Sequence, residues 1–203
     1  MISTLEGVMG SGKTLAAVTL CYLEFQEGKE VISNVDVNFP YTKLDTEFFL
    51  ANMNTHEMEH CTLLLDEAYI YLDSRNSATK LNKLFTYFIA QTRKRGVDMF
   101  VCIHHIDTVD KRLRRAIDLR GTCRFRKEAP CKKCKGETTV KGIMCPGCNG
   151  YGESGYVTVS FFDMRSAKRQ KIRIHGPTFW GLYDTNQRIK LTGKQMDIDP
   201  RDL

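Results

Sequence analysis

The chain is predicted to be an α/β protein, with a mainly parallel sheet flanked by helices and an antiparallel β extension that carries a small metal-binding insert. Three observations predict this. Short apolar runs alternate with helix-period segments over the first half of the 203 residues. A glycine-rich stretch sits between the first apolar run and the first helical segment. After Gly121 the pattern becomes one of strands alone, interrupted by two C-x-x-C pairs.

Taken in order, Ile2 to Glu6 reads as a short strand. Lys13 to Gln26 sets Leu15, Val18, Leu20, Tyr22 and Phe25 among alanines, which suits a buried helix, and Gly28 stops it. Val31 to Val35 reads as a strand, and a short helix is expected over Asp45 to Asn52. Thr62 to Leu65 is an apolar run of the buried parallel type that ends in Asp66-Glu67. Helical spacing through Leu81, Leu84, Phe85, Phe88 and Ile89 predicts a helix over Lys80 to Lys94, ended by Gly96 before a strand at Met99 to Ile103. Thr122 to Lys127, Tyr156 to Phe162 and Lys168 to Ile174 are expected to be antiparallel strands. The organisation read from this is a core over 1–126, the insert over 127–154, and a β extension with a C-terminal tail over 155–203 that completes the core domain.

Composition narrows the class. Hydrophobic residues are 42% and charged residues 27%, ordinary for a soluble globular protein. No apolar stretch approaches membrane-spanning length, and the first residues lack the basic and apolar regions of a secretory signal, so a cytoplasmic location is expected. The net charge of +6 favours a polyanionic partner only mildly, but its placement is uneven: Lys111 to Lys127 holds eight Lys or Arg, and Lys168 to Arg173 four more.

Gly7 to Thr14 is a complete G-x-x-x-x-G-K-[ST] match. Glycines let successive backbone N–H groups curl around a phosphate, and the following helix adds its positive N-terminal end. Gly7, Met9, Gly10, Ser11, Gly12, Lys13, Thr14 and Leu15 are therefore candidate ATP-binding residues. Lys13 suits the β- and γ-phosphates, and Thr14 with Asp66 suits Mg²⁺. Glu67 is the candidate for orienting or deprotonating the attacking water. His104 and His105 end the next strand; adjacent side chains on a strand point opposite ways, so at most one faces the site, and His105 joins the candidate catalytic set as a γ-phosphate sensor.

Cys131, Cys134, Cys145 and Cys148 form two C-x-x-C pairs ten residues apart, the spacing of a closed four-thiolate Zn²⁺ site with no open position for catalysis. Such a metal would staple a hairpin tip rich in lysine, and a contact role for that tip stands beside the structural one. Cys21, Cys61, Cys102 and Cys123 are scattered among apolar residues and read as small buried hydrophobes.

With these residues in hand, the chain resembles the Zot-like branch of the FtsK/HerA P-loop ATPases. The resemblance rests on Gly7 to Thr14, Val31-Ile32-Ser33-Asn34-Val35, Leu63 to Ala68, Gln91 to Asp98, Ile106 to Arg115 and Leu182-Tyr183-Asp184-Thr185, in that order. Where family members usually carry a glutamine, this chain has His104-His105. The resemblance implies an ATP-hydrolysing DNA motor of the viral genome-packaging type, host-cytoplasmic or virion-associated. It implies a homo-oligomeric ring of five or six copies in which an arginine from one subunit completes its neighbour's site, with Arg93, Arg95 and Arg115 the candidates. Sequence-independent contact with double-stranded DNA is expected, through Arg112, Arg114, Arg115 and the insert's lysines, and a capsid or membrane protein is a further candidate partner. Filamentous-phage members continue into a membrane anchor and a further domain that are not expected here, which favours a soluble packaging-type motor; an extrusion ATPase whose membrane anchor another chain supplies is the alternative. A zinc-containing nucleoside kinase, which also joins a P-loop to two C-x-x-C pairs, is the competing enzyme class, and a non-hydrolysing structural subunit is disfavoured by the intact Lys13, Thr14, Asp66 and Glu67.

Overall fold

The structure, a computed structural model, describes residues 1–68, 80–185 and 187. Most of the tail assigned to the core domain, from 188 on, lies outside these residues. Ten strands are described: β1 (Ile2–Glu6), β2 (Glu30–Ser33), β3 (Thr42–Lys43), β4 (Cys61–Leu65), β5 (Asp98–Ile103), β6 (Leu119–Glu128), β7 (Thr139–Val140), β8 (Ile143–Met144), β9 (Ser154–Asp163) and β10 (Arg169–His175). The helices are α1 (Lys13–Gln26), α2 (Thr46–Asn52), α3 (Lys80–Gln91), α4 (Lys111–Ala116) and the one-turn α5 (Gly176–Phe179).

Eight strands form one sheet in the order β10-β9-β6-β1-β5-β4-β2-β3. Every pair from β6 to β3 is parallel, whereas β9 and β10 join antiparallel. The expected α/β sheet with its antiparallel extension is what forms. From Thr122 on, β6 pairs antiparallel with β9 as expected; what was not anticipated is that it starts at Leu119 and also runs parallel to β1, Ser3 facing Leu119 through Glu6 facing Thr122. The α4 segment, not anticipated as a helix, carries the chain back to the sheet's N-terminal edge and so fixes that direction. Gly121 permits the close pairing, since a Cβ there would meet the Phe161 ring at 2.7 Å and the Thr4 carbonyl oxygen at 2.9 Å. The strand at Val31 ends early because the Val35 N–H turns back to donate to Ser33 Oγ at 3.0 Å.

The sheet separates two apolar layers. On one face α1 covers Leu5, Leu64, Phe100, Cys123, Val157 and Val159. On the other, α2 and α3 bring Phe49 and Phe85 into a stack at 3.7 Å between ring centroids, and Leu113 of α4 joins the same cluster. Asp45 starts α2 by accepting the Phe48 N–H at 2.7 Å. The β6–β9 ladder runs out to Glu128 facing Ser154, so β-pairing takes in Lys127 and Glu128, which the sequence assigns to the insert. No helix among the described residues is long and apolar enough to cross a membrane.

Candidate active site

The carboxyl ends of β1, β4 and β5 meet at one edge of the sheet, the place where open parallel sheets bind ligands. Gly7, Gly10 and Gly12 all take positive φ, at 154°, 75° and 82°. Gly12 is the most constrained, because a Cβ there would lie 2.4 Å from Val157 Cγ2 of β9. The antiparallel extension thus forms the wall against which the loop turns. Helix α1 starts at Gly12 with no side-chain cap and no acidic residue in its first turn, which leaves its N-terminal N–H groups to an anion. Lys13 Nζ donates to the Gly7 and Val8 carbonyl oxygens at 3.0 Å each. Ser11 Oγ is buried with no hydrogen-bond partner among the described residues. A positive helix end, a curled backbone and an unanswered hydroxyl fit a phosphate chain.

Thr14 Oγ1 donates to Asp66 Oδ2 at 2.8 Å, so the two residues expected to share Mg²⁺ are already in contact. Asp66 is 8% exposed and is held by a residue not singled out from the motifs as part of the site. Asn34 Nδ2 donates to the Asp66 carbonyl oxygen and Asn34 Oδ1 accepts the Asp66 N–H, each at 2.8 Å. Its signal in the sequence was a polar residue just past an otherwise apolar strand. Glu67 follows with φ 51°, a left-handed conformation that is uncommon for a non-glycine residue. Its N–H donates to Asp66 Oδ1 at 3.0 Å.

His104 lines the cleft, with Nε2 at 3.6 Å from Glu67 Oε2. His105, the histidine assigned to the catalytic set, points elsewhere: its Nδ1 accepts the Asp107 N–H at 3.3 Å and caps the turn at Ile106–Thr108. The alternation expected of neighbouring strand residues holds, with the two positions exchanged.

The cleft encloses about 540 Å³. Its outer wall is Trp180, Tyr183, Asp184, Thr185 and Gln187, which fold back across the opening. Val37 bridges to Tyr183, and the Asn38 N–H donates to the Leu182 carbonyl oxygen at 2.7 Å. Burial first, and then the nearby Asp66 carboxylate, push the Tyr183 phenol well above its usual pKa, so it stays a neutral O–H group at the cleft wall. Beneath the loop, burial likewise pushes Cys123 to about 12 and raises Cys102, which keeps both as protonated thiols.

The model of the zonular occludens toxin (Zot) family matches residues 1–130, nearly two thirds of the chain. The chain belongs to the Zot family. The match ends just before Cys131, so this Zot-family chain carries its cysteine insert beyond the matched region. Among solved structures, it is similar to the N-terminal domain of zonular occludens toxin from Neisseria meningitidis: TM-score 0.60, 15% identity, 90% of this chain and 98% of that one. It is also similar to the genome packaging NTPase B204 from Sulfolobus turreted icosahedral virus 2 in complex with ATP-γS, with TM-score 0.54 and 16% identity over 84% of this chain and 95% of that one. At these identities the likeness establishes the shared fold. No curated protein matches the sequence.

None of the three candidate arginines of this Zot-family chain lines its own cleft. Arg93 and Arg95 lie in the turn that enters β5 at its N-terminal end, on the far side of a strand about 20 Å long. Arg93 is exposed, while Arg95 reaches Gln91 Oε1 at 3.3 Å and lies 5.6 Å from the centre of the Phe88 ring. Arg115 is exposed near the end of α4, just before β6 begins at that same edge.

The insert brings Cys131, Cys134, Cys145 and Cys148 together, with all four sulfurs within 4.8 Å of one another. A tetrahedral site with Zn–S bonds of about 2.3 Å has S–S edges of about 3.8 Å. Cys131 and Cys145 are 4.0 Å apart and Cys134 and Cys148 3.6 Å, so the donor set fits Zn²⁺. Within 129–153 these four cysteines are the only buried residues, so the insert has no apolar core of its own. The Gly147 N–H donates to Cys145 Sγ at 3.4 Å. The insert then docks onto the cleft wall: Tyr151 meets Trp180 edge to face at 5.1 Å, and Asn149 Nδ2 donates to the Pro177 carbonyl oxygen at 3.2 Å.

Proposed function

We propose that this chain is an ATP-hydrolysing, DNA-translocating motor of the viral genome-packaging type, working as a ring. The observation that carries the reading is the meeting, at the ends of three parallel strands, of Lys13, the hydrogen-bonded pair Thr14 and Asp66, Glu67 and His104. Lys13 would hold the β- and γ-phosphates once its ammonium leaves the two loop carbonyls. Thr14 and Asp66 would hold Mg²⁺, which supplies charge neutralisation on the phosphates when bound. Glu67 would orient and deprotonate the attacking water, and His104 at its carboxylate would position it. The 540 Å³ cleft lies within the range of small-ligand and nucleotide sites. Family membership and the fold shared with the packaging NTPase B204 support the motor reading.

In a ring, the placement of Arg93, Arg95 and Arg115 away from their own cleft suits a residue that serves a neighbour, and exposed Arg93 and Arg115 are freer to do so than Arg95. The four cysteines would hold a structural Zn²⁺. A second reading is an assembly or extrusion ATPase, in keeping with membership of the Zot family. ATP turnover by concentrated protein, with and without duplex DNA of arbitrary sequence and with thymidine as control, tests the proposal. Stimulation by DNA is expected; consumption of ATP only with thymidine would make the chain a nucleoside kinase instead.

A further inference from the structure

Among the described residues, no helix covers the face of the β6-β9-β10 ribbon opposite α1. Alternate residues of paired strands share a face, and burial follows that alternation: Cys123, Val157, Val159 and Ile174 are buried toward α1, while their neighbours in sequence face outward. The outward residues form three columns. On β6 they include Arg120, Arg124 and Arg126; on β10 they include Arg169, Lys171 and Arg173. Between them β9 presents Tyr156, Thr158, Ser160 and Phe162, with Arg124, Thr158 and Arg173 level with one another. With strands about 4.8 Å apart, the two cationic columns run about 10 Å from each other; successive outward positions are about 6.8 Å apart along each strand, and Thr122 takes the place between Arg120 and Arg124.

These cations are largely uncommitted. Arg120 forms a two-pronged pair with Glu6, at 2.6 and 2.8 Å. Among the described residues, however, the side chains of Arg124, Arg126 and Lys171 have no ion-pair or hydrogen-bond partner. Arg173 lies over the Tyr156 ring at 3.8 Å, and Arg169 lies 6.0 Å from the Phe162 ring. Stacking on a ring fixes a guanidinium plane and leaves its N–H edges free, the arrangement that meets a phosphate. By contrast, Arg114, one of the arginines the sequence offers for DNA contact, is committed to Asp107 at 2.9 Å.

We propose that this open β6-β9-β10 face is the surface on which the chain holds double-stranded DNA, through the phosphate backbone and without reading sequence. This surface rests on the DNA-motor reading and is distinct from the contacts that reading expected at Arg112, Arg114, Arg115 and the insert's lysines. Charge complementarity selects a polyanion: six cations share one face with two acids, Glu6 and Glu128, which are already paired with Arg120 and Lys132. Duplex is favoured over single strand because Arg173 already covers the ring face on which an unpaired base would stack. A second copy of the same face is disfavoured because it would set like charges against each other.

The test measures binding of duplex and single-stranded DNA by the full chain over a salt series, for the wild type and for Arg124→Gln/Arg173→Gln. Both positions are exposed, and ATP binding by the variant checks that the fold and the cleft are intact. The variant should bind duplex about tenfold or more weakly, with the slope of log affinity against log salt reduced by about two. Arg173→Lys should recover part of the loss. Unchanged duplex affinity and slope, in a protein whose ATPase duplex still stimulates, would overturn this surface while leaving the motor reading standing. Loss of self-association in place of DNA affinity would make the face a subunit interface and overturn the proposal, as would tighter binding of single strands. If the wild type hydrolyses ATP yet binds no duplex at low salt, the surface and the motor reading fail together.

Discussion

Asn34 holds the backbone of Asp66 by both of its polar groups, Asn34 Nδ2 donating to the Asp66 carbonyl oxygen and Asn34 Oδ1 accepting its N–H, each at 2.8 Å. Asn34 follows β2, which is adjacent to β4 in the sheet, so this clamp fixes where the candidate Mg²⁺ carboxylate leaves its strand. Asn34→Ala leaves two buried backbone groups without partners. A loss of about 2–4 kcal/mol is expected, or roughly 5–10 °C in Tm, together with a weaker dependence of ATPase on Mg²⁺. Thermal melts and a Mg²⁺ titration check this. A variant as stable and as Mg²⁺-responsive as the wild type would remove Asn34 from the site.

Lys13 and Glu67 should separate binding from chemistry. Lys13→Ala removes the ammonium now resting on the Gly7 and Val8 carbonyls and should abolish ATP binding or hydrolysis. Glu67→Gln keeps the size of the side chain and should retain ATP binding while turnover falls by about 10² or more. Equilibrium binding beside single-turnover hydrolysis distinguishes the two, and a Glu67→Gln protein unable to bind ATP would mean that Glu67 has been given the wrong role.

The two histidines differ in what they touch, so they should differ in effect. His104→Ala removes the group at 3.6 Å from Glu67 and should lower kcat by about tenfold or more with little change in ATP affinity. His105→Ala loses an exposed turn cap and an exposed contact with the Asp107 carboxylate at 3.1 Å, and should stay within about twofold of wild type. Equal losses at both positions would show that the turn, and not the His104 imidazole, is what the site needs.

Much of this was legible in the sequence because it lies in local pattern. Helix α1 occupies the predicted residues Lys13 to Gln26, and the apolar runs at Thr62 and Met99 became the buried strands on either side of the cleft's acidic corner. What was not legible depends on contacts between distant residues. Asn34 is one polar residue after a strand until β2 lies beside β4. His104 and His105 are equivalent in sequence, and only the sheet's orientation decides which faces the loop. The outward arginines of β6 and β10 are far apart in the chain, and their pairing through β9 creates the cationic face. Likewise, Gly12 reads as a loop glycine, while its contact with Val157 depends on the antiparallel extension folding under the loop.

Because Gly12 turns against Val157, the extension and the phosphate loop should respond to one another. A Cβ at position 12 would meet Val157 Cγ2 at 2.4 Å at a φ of 82°, so Gly12→Ala combines backbone strain with a clash. ATP affinity should fall by about tenfold or more, and Gly12→Ala/Val157→Ala should recover only the part due to the clash. Full recovery in the double variant would show that the φ of Gly12 carries no cost, and no recovery would show that the contact with β9 carries none.

The four cysteines should make the insert's order depend on metal, and the candidate nucleotide cleft should feel it. Tyr151 of the insert packs edge to face on Trp180 at 5.1 Å, and Trp180, the chain's one tryptophan, lines the cleft. Since residues 129–153 bury nothing but the four thiols, removing the metal leaves no core to hold Tyr151 in place. Chelation is expected to release about one Zn²⁺ per chain, shift Trp180 emission to the red as its ring loses cover, and weaken ATP binding several-fold. Cys131→Ser/Cys145→Ser should reproduce the shift without chelator. Metal analysis beside the fluorescence titration decides among the outcomes. Protein without zinc whose insert remains ordered would refute the metal site, whereas zinc released with Trp180 and ATP affinity unchanged would keep the metal and disconnect it from the cleft.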